Sequence, residues 1–229
     1  MDGILNICKP KGISSFKALA IVKRRLGLKK VGHLGTLDPA ACGVLILLVG
    51  KACKLNQQLS GGRKIYRFVA TMGVESPSLD SETEITATSD VIPTREQIEE
   101  ILPSMIGEIE IEVPRFSAVH INGERAYNLA RKGVDFIPPK KVVKIDRFEL
   151  LDDTEYLNLH RTKPLGVHEF YFEVECQTGT YIRSLAKLLA QKLGTLAIAS
   201  TIIRTRVGNF DIKDAKTLED VTAKDLIIT

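Results

Sequence analysis

The sequence predicts an α+β fold, a mixed and largely antiparallel sheet flanked by helices, and three observations predict it. Continuous apolar runs are short, the longest reaching only from Val44 to Val49; that is strand length, far below the roughly 20 residues a membrane span needs. The stretch "FYFEVECQT" sets Phe172, Val174 and Cys176 against Tyr171, Glu173 and Glu175 with a period of two, as in a sheet with one wet face. Helical periodicity falls irregularly between such runs, which argues against a regular βαβ winding. At 229 residues and 44% hydrophobic content, the chain is long enough to bury a sizeable core.

Taken in order, "SSFKALAIVKRRLG" predicts an amphipathic helix with Ser14 or Ser15 as N-cap, Phe16, Leu19, Val22 and Leu26 on its buried side, and Gly27 as its stop. "GVLILLVG" and "YRFVATMGV" predict strands. "TREQIEEIL" opens on Thr94 with Gln97 three residues on, a capping box, and Pro103 ends or kinks that helix. "GERAYNLARKG" predicts a short helix closed by Gly133. "TYIRSLAKLLAQKLG" predicts another, with Ile182, Leu185, Leu188, Leu189 and Leu193 inward and Gly194 at its end.

The net charge of +4 is modest, but it is unevenly spread. Residues 1–64 hold twelve Lys/Arg against two acids, residues 65–113 two against eleven, and residues 114–147 eight against three. Two separated basic stretches can converge on a polyanion such as RNA. Cys8, Cys42, Cys53 and Cys176 show neither metal-finger spacing nor a disulfide framework, so reduced thiols and no metal are expected. The N-terminus lacks the basic-then-apolar pattern of a signal peptide, so the expected compartment is the cytoplasm, with no membrane association.

The stretch "VGHLGTLDPAACGVLILLVG" carries the most chemistry. Pro39 biases Asp38 toward an extended backbone, Gly32 and Gly35 permit a tight turn, and the apolar run behind them anchors the whole. A carboxylate held on such a loop edge can act as base, nucleophile or ligand; Asp-Pro is equally a common turn pair whose carboxylate caps a backbone N–H. "YRF" places Tyr66 at a strand start, and "GTYIRS" places Tyr181 and Arg183 in a strand-to-helix turn. A tyrosine face stacks on a nucleobase, and arginine pairs bidentately with carboxylate or phosphate. Each has a plain alternative, core-edge tyrosines and a surface arginine.

Five blocks in one order carry a resemblance. "GHLGTLDPAACGVL" resembles the aspartate motif of the TruB family of pseudouridine synthases. "KPKGISS" resembles its N-terminal motif, "KIYRF" its tyrosine motif, "GTYIRSLAKLLAQKLG" its GTYIRSL helix and "FSAVHINGERAYNLARKG" its RNA-contacting thumb. The resemblance runs from about residue 2 to 212 and implies the pseudouridine synthase fold, with one catalytic domain over residues 1–229 and a thumb-like insertion at about 114–145. It implies isomerisation of a flipped uridine without a cofactor, most typically uridine 55 in the TΨC loop of tRNA. Asp38 then matches the essential aspartate, whether it attacks C1′, attacks the ring or withdraws a sugar proton. Arg183 matches the arginine paired with it, Tyr66 the tyrosine stacked on the target ring, and Tyr181 a tyrosine lining the same pocket. His33 matches the histidine taking part in extrusion, and Ile202 the apolar residue closing the pocket; Lys9 and Pro10 match structural positions. A monomer acting on the T arm is expected, with no protein partner required.

Departures qualify the match. Ile198 stands where the family usually has His and Ile203 where it usually has the first Arg of its RRTRVG stretch; "VPRFSA" is one residue shorter than usual. The sequence ends after "TLEDVTAKDLIIT", so a C-terminal PUA domain is not expected. Two other readings are open: a non-catalytic RNA-binding or tRNA-folding module of the same fold, and a metal-dependent phosphodiesterase built on Asp80, Glu82 and Glu84, for which a solvated loop is the plainer account.

Overall fold

The computed structural model describes residues 1–152, 166 and 168–227. In chain order the strands are β1 (Gly3–Lys9), β2 (Val31–Leu34), β3 (Cys42–Val49), β4 (Lys64–Met72), β5 (Val74–Glu75), β6 (Ala87–Thr88), β7 (Gly107–Glu112), β8 (His120–Ile121), β9 (Glu124–Arg125), β10 (Lys140–Leu150), β11 (Glu169–Cys176), β12 (Ala197–Val207) and β13 (Phe210–Asp211). The helices are α1 (Ser15–Arg25), α2 (Asn56–Leu59), α3 (Arg95–Ile101), α4 (Ala126–Arg131) and, as α5 here, Ile182–Lys192. One mixed sheet has the order β1-β3-β12-β4-β11-β10-β7, with β2 on β3 and β13 on β12. The α+β expectation holds.

The chain divides into two compact units, Met1–Arg67 with Glu175–Thr178 and Ile202–Thr229, and Phe68–Val174 with Gly179–Thr201. In the first unit β3 is the organising strand. β1 runs antiparallel along one edge from Gly3 opposite Val49 to Lys9 opposite Gly43. The other edge is shared: β2 pairs antiparallel with the far end, Val31 opposite Val49 to Leu34 opposite Ile46, and β12 pairs in parallel with the start, Ile203 opposite Cys42 and Arg204 opposite Gly43. β12 thus takes up the edge that β2 leaves. Val44, Ile46 and Leu48 pack with Ile4, Leu34, Ala52 and Val207, and burial on both faces explains why "VLILLV" is apolar without alternation.

Helix α1 is capped by Ser14, whose side chain accepts from the Lys17 N–H, and Gly27 ends it at φ +61°. Its buried face differs from the expected one: Ser15, Ala18, Leu19 and Val22 are buried, whereas Phe16 is 73% exposed. The reason is Ser15, whose hydroxyl accepts from the Leu37 N–H (2.8 Å) and donates to the Leu37 carbonyl (2.9 Å). Turning Ser15 inward turns Phe16, one residue or about 100° on, outward.

In the second unit β7 and β10 pair antiparallel, Glu112 opposite Lys140 to Gly107 opposite Ile145. Phe68, Phe148 and Phe172 form an aromatic cluster with ring centroids 5.1–5.9 Å apart. Thr94 and Gln97 form the capping box of α3, which gives way to a 3₁₀ turn over Leu102–Met105 containing Pro103. In β11, Phe172, Val174 and Cys176 are buried and Glu173 and Glu175 half-exposed, as the alternation predicts. Tyr171 departs from it, because its ring is buried against Val69 and Leu151. α5 buries Ile182, Leu185 and Leu189, while Leu188 is only partly covered.

Candidate active site

The segment between β2 and β3, residues 35–41, carries Asp38, and it is tied down along its length. The Leu37 amide and carbonyl are both held by Ser15. The Pro39 carbonyl accepts from the Gly12 N–H at 2.8 Å, and the Asp38 carbonyl accepts from the Ala41 N–H at 3.1 Å. Leu37 and Ala41 are buried, whereas Asp38 and Pro39 are half-buried. The loop is therefore a fixed mount for a partly accessible carboxylate.

Both ends of the mount meet Arg204, which is 0% exposed. Its guanidinium donates to the Gly35 carbonyl (2.9 Å) and the Thr36 carbonyl (3.4 Å) before Asp38, and to the Val44 carbonyl (2.8 Å) after it. Two glycines make this approach possible. A Cβ on Gly43, at φ +104°, would lie 2.2 Å from the Arg204 carbonyl oxygen; one on Gly35, at φ +67°, would lie 3.0 Å from Lys64 Nζ and 3.5 Å from an Arg204 nitrogen. Nothing in the sequence analysis singled out Arg204. The signal available was an arginine directly after the apolar pair Ile202 and Ile203 in "AIASTIIRTRV", which forms β12, since a charge in a buried strand is rarely there without a dedicated set of partners.

Tyr66 is buried on β4 in the same unit. Burial raises its hydroxyl pKa, the nearby charge of the Arg204 guanidinium offsets this, and the Asp38 carboxylate pushes it up again. Tyr66 is thus an un-ionised phenol in the field of both Arg204 and Asp38. His33, on β2, has its imidazole pKa lowered by burial and then by the Arg204 charge. Its Nδ1 is buried with no hydrogen-bond partner among the described residues, so the ring is neutral near pH 7. Ile202 is buried at 6% exposure, and Ile198 and Ile203 are buried too, which accounts for apolar side chains where the family usually has basic ones. The first unit thus holds Asp38, Tyr66, His33 and Ile202.

The second unit holds Tyr181 and Arg183 at the start of α5. Tyr181 is the N-cap residue. The Arg183 guanidinium donates to the Ser78 carbonyl (2.8 Å) and the Phe116 carbonyl (3.0 Å), with its Nε 3.7 Å from Asp80 Oδ2. Asp80 Oδ1 in turn accepts from the Ser78 hydroxyl (2.5 Å) and the Glu82 N–H (2.9 Å). This corrects the acidic-cluster reading. Asp80 is 1% exposed and turned toward Arg183, whereas Glu82 and Glu84 point to solvent, so the three carboxylates do not converge on a cation. The tight 76–83 turn brings Asp80 inside as the counter-charge that a buried guanidinium requires.

A family model described as the N-terminal domain of TruB family pseudouridylate synthases matches residues 23–182. Proteins named tRNA pseudouridine synthase B are 40% identical to this chain, over 223 residues in Geobacillus thermodenitrificans and 221 in Caulobacter vibrioides. Each alignment spans 96% of this chain, and 72% and 67% of those proteins. Among solved structures, a chain of a Cbf5–Nop10–Gar1 complex superposes with a TM-score of 0.69 at 26% identity, and one of an H/ACA RNP bound to a substrate RNA containing 2′-deoxyuridine with 0.67 at 26%. Both cover 95% of this chain, which spans only about half of theirs (53% and 51%). With its family model matched over most of the chain and its fold shared with these structures, the protein belongs to the TruB family of pseudouridylate synthases.

Proposed function

We propose that this chain isomerises a uridine of the tRNA T arm, position 55 in the TΨC loop, to pseudouridine, with Asp38 as the essential carboxylate. The observation that carries this reading is the mount itself: a half-buried aspartate whose loop is pinned by Ser15, Gly12 and Arg204, in the field of a buried tyrosine. Pinning of this kind lets a weak nucleophile or base meet its target without paying for orientation at each turnover. The reaction balances within one nucleotide. The N1–C1′ bond breaks, a C5–C1′ bond forms, C5 loses a proton and N1 gains one, so no cofactor is required.

Reaching the target means taking the uridine out of its stack, which costs on the order of a few kcal/mol and least in an irregular loop. Stacking on an aromatic face such as Tyr66 returns about 1–3 kcal/mol per base. Phosphate contacts from exposed cations of α1, Lys17, Lys23 and Arg24 among them, add to this. The roles the resemblance implies for His33, Tyr181, Arg183 and Ile202 belong to the same proposal, as do the thumb at about 114–145 as an RNA-contacting segment, a single catalytic domain, a monomer and a cytoplasmic setting. The relatives' name, tRNA pseudouridine synthase B, supports tRNA as the substrate.

The test is a tRNA transcript incubated with the wild-type chain and with Asp38→Ala, pseudouridine being mapped at single-nucleotide resolution. Conversion at one TΨC-loop uridine is expected, falling by on the order of a thousandfold or more in the variant while transcript binding persists. Binding without conversion by either protein would replace this reading with that of a non-catalytic RNA-binding module.

A further inference from the structure

The buried arginine of β12 that meets both ends of the 35–44 segment does more than fill a core position. Resting on the reading above, we infer that Arg204 is a positioning residue: its guanidinium clasps both ends of the segment that carries Asp38 and so fixes where that carboxylate stands.

Three features lead there. First, the contacts are distributed in a way packing alone does not require. The donors reach the carbonyls of residues 35, 36 and 44, which bracket Asp38, and span 160 to 169 residues of sequence. A guanidinium offers five N–H groups in a rigid plane, so it can bridge several carbonyls at once where a lysine cannot. Second, the backbone of Arg204 pairs with Gly43 so closely that no Cβ fits between them. Main chain and side chain therefore grip the same segment. Third, the charge is wholly buried and satisfied by carbonyl dipoles. An apolar residue of similar volume would serve a core equally well or better. A cation here is explained by the three carbonyls it gathers around Asp38; its charge also works against the burial that raises the Tyr66 pKa and adds to the burial that lowers that of His33.

The consequence is specific to the rate. Asp38 lies on the connection between β2 and β3, which could drift by a fraction of an ångström without unfolding anything. A misplacement of about 1 Å costs on the order of a hundredfold in rate. Arg204 removes that freedom, and contributes nothing to RNA affinity because it is out of reach of solvent.

Two variants test this, Arg204→Lys, which keeps the charge but loses the fork, and Arg204→Met, which keeps the length and loses both. Single-turnover conversion and transcript affinity are measured on each, after thermal melting has shown which are folded. Arg204→Met is expected to slow conversion about a hundredfold and Arg204→Lys about tenfold, with affinity within threefold of wild type. The signal that a purely structural role would not give is the split between a slowed conversion and an unchanged affinity; the His33 imidazole titration, read by NMR, reports the Arg204 charge separately, moving up in the Met variant while burial still holds it below 6.5, and staying low in the Lys variant. The inference is overturned if a folded variant converts RNA at the wild-type rate, if rate and affinity fall together by the same factor, or if neither variant folds. Should the wild-type chain itself convert no RNA, the proposed function has failed; the His33 titration still reports whether Arg204 sets the field at that loop.

Discussion

The Asp38 loop and the 114–137 segment are both basic-flanked connections, yet they are held in opposite ways. The loop's bonds are long-range and mostly buried: Ser15 to Leu37, Gly12 to Pro39, and Arg204 to Gly35 and Val44. The 114–137 segment is held mostly by its own residues, with the Phe116 carbonyl also accepting from Arg183. Arg115 reaches Asp135 (2.9 Å) and the carbonyls of Val134 and Phe136, with its guanidinium 4.6 Å from the Phe136 ring centroid. Lys132 pairs with Glu124 across a short β8–β9 hairpin and α4. Within the segment only Pro114, Ser117 and Ala126 are buried, and Ile137 is 92% exposed. The difference separates two jobs. Groups that react must be immobile before the substrate arrives, whereas a surface that meets a folded RNA profits from being an independent piece that can adjust.

Perturbing the loop should therefore be costly and perturbing the segment cheap, and three substitutions rank the effect. Gly43→Ala is expected to be the most severe. The new methyl would sit 2.2 Å from the Arg204 carbonyl oxygen at φ +104°, so β3 and β12 must separate. Denaturant unfolding should show a loss of about 3 kcal/mol or more, with conversion lost alongside it. A loss under about 1 kcal/mol would mean that the Gly43–Arg204 contact is not a support of the loop.

Ser15→Ala comes next. It strips the hydroxyl that serves both polar groups of the buried Leu37, leaving them unsatisfied at a cost of about 1–3 kcal/mol. Because Leu37 adjoins Asp38, the conversion rate should fall further than RNA affinity does. Equal losses in both would weaken the contrast drawn here.

Arg115→Ala should change least. Its partner Asp135 is 94% exposed, so the pair contributes at most about 1 kcal/mol and the melting temperature should move by only a few degrees. Transcript affinity is expected to weaken severalfold while the single-turnover rate at saturating RNA holds. A drop in that rate would show that this segment is coupled to the chemistry after all.

Much of this molecule was readable from local sequence. The Thr94 capping box, the Ser14 cap, the turn at Gly27 and the alternation of β11 all depend on residues within a few positions of one another. Local backbone chemistry therefore sets them wherever the segment lies. The Asp38 loop was legible for the same reason, as glycines and Asp-Pro before an apolar run. The motif blocks that identify the family were legible as well, because they are contiguous.

What only the tertiary structure decided is which long-range partner each side chain meets. Phe16 looked like a core residue until Ser15, bonded 22 residues away to Leu37, turned the helix and exposed it. Asp80 looked like part of a surface acidic cluster, and proved to be the buried partner of Arg183, 103 positions along the chain. Arg204, which no local pattern singled out, became the clasp of the loop once β12 took the edge of β3 vacated by β2. Burial and charge pairing are properties of where distant segments meet. No window of a few residues contains them, and so the sequence by itself determined the elements and the family, and the folded chain determined which polar groups hold the site.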